Sequence, residues 1–309
     1  TFLCVMPIVA TPSAGAWQPR RKEAGFEAAL ERVTRSRPPR VQEATRLLLA
    51  LPEAGASRSA AAKACQYIAD CGLEPSGPAE CEAALRLAAL AADDVPGEAC
   101  FVVGRRAIAG AARLPARQVR LLAGPCRRVA AAAVRRLQEE RTTGAAWAVG
   151  KSDDAAWSVV VAALSLVKNG VDETSKLALV ETFFDRGGHV APPPLELEVV
   201  AALVAAGGAA ADELTTRDRL SSVVGDVVVA LKRRDGDTTS PLSSRRASFF
   251  AALAVLRAFC QRRPKLLFAH WLELVGPLLD RASAFFSEEE GASSSSSSGK
   301  AACWRALAE

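Results

Sequence analysis

One spacing recurs along this chain and limits what it can become. Leu220, Val224, Val227 and Leu231 stand at i, i+4, i+7 and i+11, and the same intervals separate Phe249, Leu253, Leu256 and Cys260. Leu267, Trp271, Leu274 and Leu278 repeat them a third time. On a helix of 3.6 residues per turn these positions form one apolar stripe, whereas on a strand they would divide between both faces. Val41, Ala44, Leu48 and Leu51 give a near variant, and Trp157, Val161 and Leu164 another. Strict alternation, the mark of a half-buried strand, is not sustained anywhere.

Breakers fall between these segments at short intervals. Asn169-Gly170, Gly187-Gly188, Gly207-Gly208 and Gly236 each follow an apolar run, where a left-handed helix end is expected. Start signals follow: Asp172, Pro192-Pro193-Pro194, and Ser240-Pro241 as an N-cap with proline in the first turn. Gly170 and Gly208 lie 38 residues apart, the length of one helix–turn–helix repeat. Earlier helices are expected near 22–34, 40–51, 57–71, 78–92, 98–112, 116–123 and 126–141. Short connections make neighbouring helices antiparallel. The expected fold is therefore all-α, an α-solenoid of six to seven antiparallel helix pairs. It would occupy residues 22–287, after an irregular segment at 1–21. An acidic and serine-rich flexible loop is expected at 288–299, and the start of a further, truncated helix at 300–309.

Composition bounds the rest. Hydrophobic residues make up 50% and charged residues 24% of 309, which fits a folded chain with a sizeable core. Arginine (31) far outnumbers lysine (8), a skew expected of a GC-rich genome and so a weak sign of nucleic-acid binding. The eight cysteines include no CxxC pair, and Cys65, Cys71 and Cys81 have no histidine nearby, so no zinc site is expected. Reduced, buried thiols point to a cytoplasmic or nuclear protein. No stretch approaches the ~20 apolar residues of a membrane span. Residues 2–16 are apolar and end in Ala14-Gly15-Ala16, like the tail of a signal peptide. Without an initiator Met or a basic start, a chain cut from a longer one is the better reading.

The segment from Ser244-Arg245-Arg246 through Leu279 resembles a HEAT or armadillo repeat. The likeness lies in RRASFFAALAVLRAFCQRRP followed by PKLLFAHWLELVGPLLD, with Pro264 between the two helices and Pro277 late in the second. RVQEATRLLLAL, from Arg40 to Leu51, resembles a second such helix. The resemblance implies a right-handed superhelical scaffold whose concave face binds proteins or peptides. Residues 145–208, beginning AAWAVGKSDDAAWSVVVAALSLVKNG, are similar to organellar RNA-binding repeats of the octotricopeptide kind. That resemblance implies an organellar protein whose successive helix pairs contact successive nucleotides.

Chemistry is sparse. His189 and His270, the only histidines, are 81 residues apart, and no GxSxG, GxxxxGK[ST], GxGxxG or HExxH motif occurs. Asp153-Asp154 stands at a helix start, where it complements the helix dipole. No catalytic residue, metal, cofactor or small-molecule substrate is expected, and the chain is read as a non-enzyme.

Charge gives the one informative cluster. Residues 1–150 hold 21 basic and 14 acidic side chains, a net of +7, against 18 and 20 in 151–309, a net of −2. The excess sits in 101–141, with ten arginines against Glu139 and Glu140. Arg106, Arg113, Arg120 and Arg127 recur every seven residues, joined by Arg105, Arg117, Arg128, Arg135 and Arg136. Pro115 and Gly124-Pro125 are expected to break this run into three helical pieces, whose arginines adjacent helices could still present together. Such a face would take phosphate groups or an acidic partner. A solvated outer face in an arginine-biased chain accounts for the same residues. No aromatics interleave with them, which argues against base stacking. Arg245-Arg246-Ala247-Ser248-Phe249 resembles a basophilic kinase site, making Ser248 a candidate for phosphorylation that only a frayed helix would expose. The expectation is a scaffold for protein–protein interaction, with RNA binding through 101–141 as the alternative.

Overall fold

The computed structural model describes residues 18–35, 40–54, 56–92, 97–142, 152–167, 169–184, 194–232 and 242–291. Among them are fourteen α-helices and no strand. They are α1 (Gln18–Arg35), α2 (Val41–Ala54), α3 (Arg58–Asp70), α4 (Pro78–Ala92), α5 (Glu98–Ala111), α6 (Ala116–Thr142) and α7 (Ser152–Leu166). Then come α8 (Glu173–Phe184), α9 (Pro194–Ala206), α10 (Ala209–Leu214), α11 (Arg217–Lys232), α12 (Leu242–Arg262), α13 (Pro264–Phe268) and α14 (Trp271–Gly291). The all-α expectation holds. No described helix is long and apolar enough to cross a membrane.

The helices lie in two layers. One holds α1, α3, α5, α7, α9 and α12, each packed on the next; the other runs α2, α4, α6, α8, α10, α11 and α14. From α1 to α7 each helix touches its successor in sequence, as do α8 and α9, and α11 and α12. Direction follows from named contacts. A Cβ built on Gly104 would lie 3.7 Å from the Ala88 Cβ, and one on Gly110 would lie 3.1 Å from Cys81 Sγ. Late α5 thus meets early α4, and the two run antiparallel. Arg262 Nη2, at the end of α12, donates to the Ala205 carbonyl at the end of α9 (2.6 Å), so these layer neighbours run parallel.

The helix ends follow their local chemistry. Asp172 accepts from the Ser175 amide (2.8 Å) and hydroxyl (2.9 Å), capping α8. Asn169, ahead of it, takes the left-handed φ of 60°. Gly207 and Gly208, at φ 74° and 87°, end α9 in the conformation that favours glycine. Gly187-Gly188, Gly236 and the Ser240-Pro241 start lie outside the described residues, as do 1–17 and the expected helix at 300–309.

Four local expectations are corrected. Gly124-Pro125 does not divide 116–141: α6 is one helix of 27 residues with Pro125 inside it. An internal proline forfeits a hydrogen bond and costs about 3 kcal/mol, but Leu122, Cys126, Val129, Ala130 and Ala133 are buried around it, and their packing offsets the loss. The stripe at Leu267, Trp271, Leu274 and Leu278 is split by a turn at 269–270, leaving Trp271 46% exposed. The stripe on α12 holds at Phe249 and Leu253 but not at Cys260, which is exposed, because α9, α11 and α13 bury a wider sector through Val255 and Phe259. In the two outermost described helices the expected bounds shift: α1 begins at Gln18 rather than after 21, and α14 carries Glu288-Glu289-Glu290 in helix rather than loop. The stripe at Leu220, Val224, Val227 and Leu231 is buried throughout.

Candidate functional site

The fusion of α6 reorganises the arginine cluster. At 27 residues the helix is about 40 Å long. Its apolar side packs on α4, α5, α7 and α8. The opposite side exposes Arg117, Arg120, Leu121, Gly124, Arg127, Arg128 and Arg135. At 100° per residue, Arg117, Arg128 and Arg135 lie within about 20° of one line, and Arg120 and Arg127 lie on a parallel line beside it. Five of the nine expected arginines therefore share one outward helical surface.

The other four do not. Arg106, half-buried on α5, donates from Nη1 to the Ala69 carbonyl at the end of α3 (3.1 Å), a contact that holds two layer neighbours together. Such a cation also complements the negative end of the α3 dipole. Arg105 is exposed on α5, in the other layer. Arg113 is exposed in the turn before α6, and Arg136 is half-buried on its flank. Arg127 Nε reaches the Ala123 carbonyl at 3.4 Å, and its charge helps hold the nearby Asp172 carboxyl down. Partial burial pushes that carboxyl up, but the Ser175 hydrogen bonds and the Arg127 charge together leave it below its ordinary value.

Leu121, 77% exposed among the arginines, and Gly124 were missed by the sequence reading. A signal was present: on an unbroken helix both fall on the same side as Arg117 and Arg128. Ser248 is buried in the second turn of α12, which shields its hydroxyl from a modifying enzyme while the helix is folded.

Among the described residues no group of three or more His, Cys, Asp and Glu could hold a metal. His270 Nδ1 sits 3.6 Å from Glu273 Oε2 within one helical turn, and His189 lies outside the described residues. Burial pushes the Cys100 and Cys126 thiols up to about 12 and Cys81 to about 11, so these sulfurs are protonated and unreactive at neutral pH.

The class that fold and surface define is an all-helical, two-layered protein with one arginine-lined helix face. No protein-family model matches the chain, and comparison with curated proteins and with solved structures gives no significant match.

Proposed function

We propose that this protein is a non-catalytic α-solenoid scaffold of the HEAT or armadillo kind, which binds other proteins. The observation that carries the reading is the run of helix contacts between sequence neighbours and layer neighbours, with α9 reaching α12 past α10 and α11, and α11 reaching α14 past α12 and the short α13. An array built this way needs no closure between its ends and presents long surfaces for partners. The directly packed successive helices α1 and α2, α3 and α4, and α5 and α6 fit that description.

Small-angle scattering tests it. A compact bundle of 309 residues has a radius of gyration of about 19 Å. A clearly larger value with an asymmetric distance distribution supports the stack, and a compact value overturns it. The RNA-binding reading asks the arginines and the helix at Trp157 to line one groove. Trp157 is instead buried and offers no face for a base. Tight binding of single-stranded RNA, steeply weakened by salt and abolished by R120A/R127A/R128A, would reverse that preference.

A further inference from the structure

We propose that the outward face of α6 is a docking site for an acidic amphipathic helix of a partner protein. The inference rests on the protein-binding reading above and names its surface. The first support is charge without internal compensation. From Ala116 to Val134 the helix contains no acidic residue. Among the described residues Arg117, Arg120 and Arg128 join no ion pair, whereas Arg35, Arg86, Arg219 and Arg263 are each paired with a carboxylate. A chain that neutralises arginines elsewhere leaves these three for an external anion.

Spacing selects the anion. Arg120 and Arg127, and likewise Arg128 and Arg135, are seven residues apart, about 10.5 Å of helical rise. A second α-helix lying along α6 repeats with the same rise, so Glu or Asp at seven-residue intervals meets the arginines in register. The apolar content of the face agrees. Leu121 stands exposed between Arg117 and Arg128, too far out to join the core, and offers contact to one apolar side chain of the incoming helix. No aromatic lies on this face, as a single-stranded nucleic acid would require for stacking.

Gly124 is exposed on the same face. It precedes Pro125 inside the helix, where a residue without a Cβ avoids the clash with the proline ring. The missing side chain also leaves the surface between Arg120 and Arg127 low.

The test uses the full chain and two synthetic peptides followed by fluorescence anisotropy. One is an acidic helix with Glu at seven-residue intervals and one central Leu; the other is its scramble, of equal charge. The in-register peptide is expected to bind at least about tenfold more tightly than the scramble. R120E/R127E is expected to abolish binding. L121Q removes the exposed apolar contact and leaves every arginine in place, so it should fold as well as the parent and still weaken binding several-fold. Equal affinity for the two peptides, or unchanged binding by a folded L121Q, overturns the proposal. Preference for single-stranded RNA over the in-register peptide overturns both this proposal and the protein-binding reading. A compact scattering profile together with in-register peptide binding would instead remove the solenoid and leave the docking site.

Discussion

Helices α3, α4 and α5 bury mostly small residues, whereas α9 and α12 bury mostly large ones. The first group includes Ala60, Ala61, Ala64, Cys65, Ala84, Ala88 and Ala107, with Gly104 near Ala88 and Gly110 near Pro75 and Cys81. The second includes Val200, Leu203, Val204, Phe249, Val255 and Phe259. Small side chains let helix backbones approach, so that many weak contacts form over a short distance. Large ones keep axes apart and concentrate the stabilisation in a few residues. Polar links differ in the same sense. The described ion pairs of α1 and α4 lie within single helices, Arg35–Glu31 and Arg86–Glu82, while Arg219 and Arg263 tie different helices together. The same two-layer contact pattern thus rests mainly on small buried residues in one region, where Arg106 ties α5 to α3, and on large side chains and cross-helix ion pairs in the other.

The contrast breaks most visibly at an anchor. Phe259 is fully buried, and Phe259→Ala should cost about 3–5 kcal/mol, by lost transfer energy and a residual cavity. Urea unfolding monitored by circular dichroism reads this directly. In α3–α5 such a loss is confined to the few large residues: Phe101→Ala, equally buried, should cost about as much, whereas Ala84→Gly should cost only about 1 kcal/mol.

That region should also fail by overpacking. A Cβ on Gly110 would lie 2.0 Å from the Pro75 carbonyl oxygen, a backbone atom that cannot rotate away. Gly110→Ala should therefore destabilise by about 1–3 kcal/mol. Gly225→Ala, on the exposed side of α11 where a Cβ would meet nothing within 4 Å, should stabilise by several tenths to about 1 kcal/mol. Opposite signs for the same substitution in the two regions would sharpen the comparison; equal signs would undo it.

The thiols give a pH test. Cys81, Cys100 and Cys126 have folded-state values of about 11, 12 and 12, above an unfolded value near 9. A raised folded value means that the unfolded chain releases the proton first. Their contribution is fully present below pH 9 and is lost progressively between pH 9 and about 12, by about 1 kcal/mol per thiol at pH 10. Unfolding midpoints at pH 8 and pH 10 should show the loss, and Cys→Ala variants of these three should lessen it. Cys260, exposed on α12, should be the first of the described cysteines alkylated in the native protein.

Much of this organisation was legible because helix periods and stops are local signals. The expectation of a helix at 78–92 coincides with α4, and Asp172 caps α8 as its residue type implies. What escaped was decided by neighbours distant in sequence. Gly124-Pro125 is a strong local breaker, yet packing on four helices carries α6 through it. Arg106 and Arg127 belong to one seven-residue series, yet Arg106 turns inward to α3 while Arg127 stays outside. Nothing in the spacing separates the two until the layers are known. The surface was thus legible in its charge but not in its membership.

The smallest effect belongs to Arg219 and bears on the anchoring argument most closely. Its guanidinium, at the start of α11, lies 2.9 Å from Glu181 of α8 and 3.3 Å from Glu213 of α10, with the Phe184 ring 5.0 Å beneath. One side chain therefore spans three helices. The carboxylates are substantially exposed, so each pair contributes little, and with the ring contact Arg219→Ala should cost about 1 kcal/mol. Arg219→Lys keeps the charge but loses the planar fork and the stacking, and should recover only part of that. High salt should erase the ion-pair share and leave the ring share, so the melting difference between Arg219 and Ala narrows without closing. Arg86→Ala, which removes a pair within α4 alone, should be near neutral in the same assay. If Arg86→Ala costs as much as Arg219→Ala, cross-helix anchoring is not what distinguishes the two regions, and their difference reduces to side-chain size.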